Sequence, residues 1–168
     1  MIVIKTLIFT VLVPGSVGVL IPLRLISSPS ARGSLSLGSF HYIGLPVILI
    51  GASIYFWCAW DFAFSGKGTP APIDPPKELV VRGLYKYVRN PKYIGVLSLI
   101  VGQAVWFEST ALLVYAALVC LLFCTFVMLY EEPVLRRKFG ASYERYCKSV
   151  PRWLPRLARP KANRDLRA

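Results

Sequence analysis

Tyr93–Phe107 reads YIGVLSLIVGQAVWF and Thr110–Tyr130 reads TALLVYAALVCLLFCTFVMLY, with only Glu108 and Ser109 between them. A helix that crosses a bilayer needs about 20 apolar residues. The second run has that length. The first is short, and its helix is expected to begin at Pro91, since proline suits the first turn. So brief a connection predicts an antiparallel hairpin whose tip lies across the membrane from both of its outer ends. Two more apolar segments precede it, from about Ile2 to Leu23 and from about Tyr42 to Phe64. The expectation is an all-α integral membrane protein with about four transmembrane helices. The first segment has Lys5 ahead of its apolar run, but no small-residue cleavage signal is clear after it, so it reads as a retained span. Pro14, Gly15 and Gly18 inside it suggest a kink or close helix packing.

Composition agrees. Hydrophobic residues make up 55% of the 168 and charged residues 17%, against roughly 25% charged in soluble domains. Mean hydropathy is +0.56. The net charge is +12, and its placement is uneven: 11 of the 20 Lys and Arg lie between Glu131 and Ala168, and six more between Ser65 and Lys92. These groups flank apolar spans, the pattern of cytoplasmic loops facing anionic lipid rather than of a nucleic-acid-binding face. The positive-inside rule then puts both termini in the cytoplasm, with only Arg24 and Arg32 outside. The one histidine, His41, and the four cysteines lack ligand spacing, which argues against a metal or haem centre. Spans three and four carry no charge, which argues against a transporter with an essential midplane group.

Polar chemistry gathers at two places. Tyr85-Lys86-Tyr87-Val88-Arg89-Asn90-Pro91-Lys92-Tyr93-Ile94-Gly95 leads into the third span, and Glu131-Glu132 closes the fourth. The hairpin folds these sets back onto each other at one membrane surface. Negative charge at a helix carboxyl end opposes the macrodipole, so the acids need a reason to be there. Adjacent residues point about 100° apart on a helix. One acid is therefore free to face a site while the other pairs with Arg136 or a loop cation. Asp61, near the end of the second span, either joins this pocket or pairs with a basic neighbour. Beyond Pro133, expected to break or kink the helix, Leu135, Phe139, Tyr143, Tyr146 and Val150 recur at helical spacing opposite Arg136, Arg137, Lys138, Arg145 and Lys148. This predicts a C-terminal interfacial amphipathic helix interrupted at Gly140. Residues 1–155 then form a single domain and 156–168 a basic tail.

Gly83-Leu84-Tyr85, Arg89-Asn90-Pro91-Lys92-Tyr93-Ile94-Gly95, Glu131-Glu132-Pro133-Val134-Leu135, Phe139-Gly140, Tyr143, Tyr146 and Val150-Pro151 form a set. With the Gly- and Pro-rich loop Gly66–Pro72, that set resembles the isoprenylcysteine carboxyl methyltransferase family and, more distantly, the membrane phospholipid N-methyltransferases. The resemblance covers about Gly66 to Pro155. It implies a membrane methyltransferase using S-adenosylmethionine (SAM) and acting on a hydrophobic acceptor among membrane lipids. It further implies cofactor contacts from Lys77, Glu78, Leu79, Val80, Tyr85, Asn90, Pro91, Lys92, Tyr93, Glu131 and Glu132; the acceptor's reacting heteroatom is expected near Arg89, Arg136 or Tyr93. Two positions depart from the family pattern. Asn90 stands where a histidine is usual, and Val127 where the carboxyl methyltransferases keep an arginine that contacts substrate. The second departure points to a lipid-like or hydrophobic small-molecule acceptor, with Arg136 as a possible replacement cation. Phospholipid N-methylation is one alternative. An NADPH-dependent membrane reductase of related architecture is another, although no feature here demands a 2′-phosphate or nicotinamide site. The residue chemistry agrees with SAM: carboxylates accept from an ammonium or diol, Arg and Lys pair with a carboxylate, and tyrosine offers a flat apolar face with a polar tip.

Overall fold

The computed structural model describes residues 12–28, 31, 35–65, 79 and 81–155. The expectations for Ile2–Val11, Arg32, the Gly66–Pro72 loop, Lys77, Glu78, Val80 and the 156–168 tail lie outside the described residues. Every regular element among them is helical. In chain order these are α1 (Leu12–Leu25), α2 (Gly44–Ser65), α3 (Pro91–Trp106), α4 (Thr110–Phe126), α5 (Glu132–Phe139) and α6 (Ala141–Ser149). Two stretches are long and apolar enough to cross a membrane: Gly38–Asp61, which takes in the 3₁₀ turn before α2, and Thr110–Phe139. Helix α1 is apolar but shorter, and α3 has 16 residues. Helix α3 does begin at Pro91, as the proline predicted.

The tightest packing is between α2 and α3. Gly44 and Gly51 on one helix face Gly102 and Gly95 on the other. A Cβ built on any of the four would lie 2.5–2.9 Å from backbone atoms of the facing helix. The absence of side chains here lets the two backbones touch, the small-residue mode of helix association in lipid. Helix α1 packs on α3 and α4, and at Gly18 a Cβ would make ordinary contact with Val96 and Leu99. It carries the distortion its Pro and Gly content foretold, as a π turn at Ser16–Leu20. A π turn displaces carbonyls from their i→i+4 partners. Two of them are taken up from outside the helix: Gln103 Nε2 donates to Gly18 O at 2.7 Å and Tyr115 Oη donates to Val17 O at 2.9 Å. Tyr55, Val96, Ile100, Ala116 and Val119 form the core between α2, α3 and α4. The outward faces stay apolar: Leu49, Phe56 and Trp60 on α2 and Leu118, Leu121 and Leu122 on α4 are more than half exposed.

At the hairpin tip, Ser109 caps α4 by accepting from the Leu112 N–H at 3.3 Å. Glu108 takes a positive φ of 50° and accepts from the Leu37 and Leu35 amides at 2.9 and 2.8 Å, pinning the preceding loop to the tip.

The expected break at Pro133 takes a different form. Helix α4 runs on through a second π turn, Val127–Glu131, directly into α5, so one helix extends from Thr110 to Phe139. In the wider turn the Glu132 amide donates to the Val127 carbonyl five residues back, and the helix passes Pro133 without ending. The helix stops instead at Gly140, with φ +50°, before α6. The apolar side chains predicted for an interfacial helix are covered by the chain itself: Tyr143, Tyr146 and Val150 pack with Leu135, Phe139, Leu79 and Val81.

Candidate functional site

The loop between α2 and α3 comes to the end of α4 through its own local chemistry. Gly83 sits at φ +50° beneath Asp61, and a Cβ there would collide with the Asp61 carboxylate and approach the Trp57 indole. Only glycine provides both the conformation and the room. The 3₁₀ turn Gly83–Lys86 that follows buries Tyr85 against Cys58, Ile54 and Leu84. Tyr146 donates its hydroxyl to the Tyr85 carbonyl at 2.7 Å, tying α6 to the same loop. Burial pushes the Tyr146 phenol far above its usual range, so it remains a donor. Burial does the same to Tyr85, reinforced by Cys58 and by the negative charge of Glu131. Pro91 is buried in the first turn of α3. Asn90, 6% exposed, donates from Nδ2 to the Arg152 carbonyl at 3.2 Å.

The two acids take separate sets of partners. Glu131 accepts from Lys92 Nζ at 2.8 Å on one oxygen and from the Tyr93 hydroxyl at 2.6 Å on the other. Its side chain keeps 18% exposure. Glu132 turns inward and is 5% exposed. Arg89 Nη1 reaches it at 3.0 Å, and Arg152 grips it with both Nε and Nη2 at 2.8 Å. The Glu132 bonds hold the Arg152 guanidinium more firmly protonated than usual. Arg89 is fixed further by an Nη1 bond to Cys147 Sγ at 2.9 Å and by its amide, which donates to the Pro151 carbonyl at 2.9 Å. Of the two partners foreseen for the inward acid, the loop cation is the one found.

Arg136 is elsewhere. It pairs with Glu144 at 2.6 Å, and both side chains are close to half exposed. Eight residues separate them across the Gly140 turn, so α5 and α6 hold the pair between themselves. The sequence offered Arg136 as one replacement for the cation missing at Val127; here its guanidinium is engaged by Glu144. Val127 is itself buried, at 1% exposure. Leu79 packs with Tyr143, Tyr146 and Val150. Asp61 lies beside Gly83 rather than beside the acid pair.

The structure therefore brings together Arg89, Asn90, Pro91, Lys92, Tyr93, Glu131 and Glu132. Sequence reasoning missed Arg152, Trp153, Phe123 and Cys147. The Tyr93 ring lies 4.6 Å from that of Phe123 and 6.4 Å from that of Trp153. A signal for Arg152 did exist. A second acid on an apolar helix needs a cation, and Arg152 stands between Pro151 and Pro155 in a segment that cannot continue a helix.

The chemistry of this arrangement is specific. A carboxylate has about four acceptor sites, and Glu131 uses two. The remainder suit an ammonium or a diol. The buried Lys92 ammonium suits a carboxylate, and the three rings offer apolar faces beside them.

A family model described as phospholipid methyltransferase matches residues 39–142, which takes in α2 through α5 with Arg89–Tyr93 and the Glu131–Glu132 pair. Two proteins from Oryza sativa, subspecies indica and japonica, each named probable protein-S-isoprenylcysteine O-methyltransferase, are 30% identical over 118 residues, 68% of this chain and 60% of each relative. The protein-S-isoprenylcysteine O-methyltransferase of Schizosaccharomyces pombe is 35% identical over 77 residues, 46% of this chain and 33% of that protein. The chain thus spans about 60% of the length of the rice relatives it matches. No solved structure matches.

Proposed function

Because the chain belongs to the phospholipid methyltransferase family, we propose that it is an integral membrane methyltransferase that uses SAM to methylate a lipid-like or hydrophobic small-molecule acceptor. The observation that carries this reading is Glu131. It is a partly exposed carboxylate held between Lys92 and Tyr93, with acceptor capacity left over, at the end of a long apolar helix. Bound there, SAM supplies an electrophilic methyl group on a sulfonium. Glu131 would hold the cofactor's ammonium or ribose diol, and Lys92 its carboxylate. Tyr85, Asn90 and Tyr93 would shape the cavity around it. Methyl transfer is an in-line displacement, so the chief task of these residues is to hold two partners in register.

The apolar surroundings support a hydrophobic acceptor. Phe123, against the Tyr93 ring, and Val127, one turn before Glu131, offer no charge on the helix face that leads to Glu131. The names of the rice and yeast relatives support a prenylated thioether-carboxylate as one such acceptor, and the family description supports a phospholipid as another. Four helices, α1 to α4, would cross the membrane, with the site and both chain ends on the cytoplasmic side, as the distribution of basic residues favours.

One experiment addresses chemistry and sidedness together. SAM does not cross a bilayer unaided. Sealed inside-out and right-side-out vesicles carrying the protein are incubated with methyl-labelled SAM, their own lipids and a farnesylcysteine analogue. Labelled product is expected in inside-out vesicles only, with the extracted lipid or the analogue as carrier. Label in neither preparation would refute the activity, and label in right-side-out vesicles would reverse the topology.

A further inference from the structure

Between Pro151 and Pro155 the chain leaves α6 and folds back, and its contacts fall on one target. The Pro151 carbonyl receives the Arg89 amide at 2.9 Å. The Arg152 carbonyl receives Asn90 Nδ2 at 3.2 Å. The Arg152 guanidinium holds both oxygens of Glu132 at 2.8 Å. The Trp153 ring lies 6.4 Å from that of Tyr93. Val150, 3% exposed, anchors the start of the segment among Tyr143 and Tyr146. Three consecutive residues thus address Arg89, Asn90, Tyr93 and Glu132.

These bonds close a circuit. The Arg89 amide is on Pro151, the Arg89 side chain is on Glu132, and Glu132 is on Arg152, the residue after Pro151. Loop, helix α5 and C-terminal segment are each bonded to the other two. A bidentate Arg–carboxylate pair fixes orientation as well as distance, and Glu132 is sequestered from water. Glu131, next in sequence to Glu132, holds Lys92 and Tyr93 in the first turn of α3, directly after that loop.

We propose that Val150–Leu154 is a strap that completes the site, and that Arg152 is a positioning residue acting through Glu132 on Arg89–Tyr93, the end of the loop and the first turn of α3. The guanidinium that holds both oxygens of Glu132 thus comes from beyond α6. That the strap serves SAM binding rests on the function proposed above.

The test uses full-length protein in nanodiscs: wild type, Arg152→Ala and Arg152→Lys. Backbone hydrogen exchange of the peptides covering residues 85–93 reads the strap without any ligand, because the Arg89 amide is bonded to it. Calorimetry reads SAM affinity. In Arg152→Ala, exchange at 85–93 is expected to speed up and SAM affinity to fall about tenfold or more, the scale of hydrogen bonds to charged groups. Arg152→Lys, which keeps the charge and loses the fork, is expected to recover part of both, while exchange in α4 is unchanged in either variant. Unchanged exchange at 85–93 in Arg152→Ala would overturn the strap. Faster exchange with undiminished SAM affinity would overturn the positioning role. Wild-type protein that fails to bind SAM would instead refute the proposed function, and the exchange comparison would still decide whether Arg152 holds the strap. If Arg152→Ala does not fold, the Arg152→Lys comparison alone carries both readings.

Discussion

Glu131 and Glu132 are chemically identical neighbours that the structure puts in different surroundings. Glu131 keeps access to solvent and sits on Lys92 and Tyr93. Glu132 is enclosed by Arg89 and Arg152. That one acid would turn inward was legible from the 100° step between adjacent helical residues. Which cation it meets was not, because Arg89 and Arg136 are equally basic in sequence and only the hairpin decides between them. Arg152 was hidden for a similar reason: it comes from 20 residues away along the chain, through a helix and a turn. The buried acid has a measurable consequence. Removing one partner of a buried ion pair leaves the other uncompensated, at a cost of about 3–5 kcal/mol. Glu132→Ala strands Arg89, whose side chain is 12% exposed, so thermal or denaturant unfolding should show a loss of that order. A loss below about 1 kcal/mol, the scale of exposed pairs, would mean that Glu132 is not enclosed as described.

Among the helices, the apolar runs located α2, α3 and α4 to within a few residues, since a span must be long and nearly free of charge. Proline fixed the start of α3. At Pro133, where a break or a kink was expected, a π turn carries the helix through without a break. Such a turn depends on what the neighbouring helices can satisfy and leaves no pattern of its own in the sequence. The apolar stripe of α5 and α6 had the right period, but it meets Leu79 and Val81 from the preceding loop. The α2–α3 contact depends on glycine. At Gly95 a Cβ would lie 2.9 Å from the Gly51 carbonyl and from the Tyr55 amide nitrogen, both backbone atoms with no rotamer to yield. Gly95→Leu must therefore separate the helices, and overpacking of this kind costs about 1–3 kcal/mol or more. A lowered midpoint of thermal unfolding in nanodiscs is expected for Gly95→Leu. An unchanged midpoint would show that the two backbones do not pack this closely.

Taken whole, the molecule is a helical hairpin, α3–α4, that packs on α2 and α1, with its polar residues gathered where the hairpin opens. Loop, helix end and C-terminal segment converge there from three separate parts of the chain. The helical class and the membrane character were readable because lipid imposes length and composition on any helix that crosses it. The convergence was readable only in part, through the short connection at Glu108 and Ser109. The central claim is that this convergence binds SAM through Glu131, and calorimetry of SAM binding to purified wild-type, Glu131→Gln and Arg136→Ala protein tests it most directly. Glu131→Gln keeps the shape and removes the charge, so affinity should fall by about 1.5–3 kcal/mol, roughly ten- to hundredfold. Arg136→Ala, which loses only the exposed pair with Glu144, should bind as wild type does. Equal affinity in wild type and Glu131→Gln, or no binding by wild type, would contradict the account.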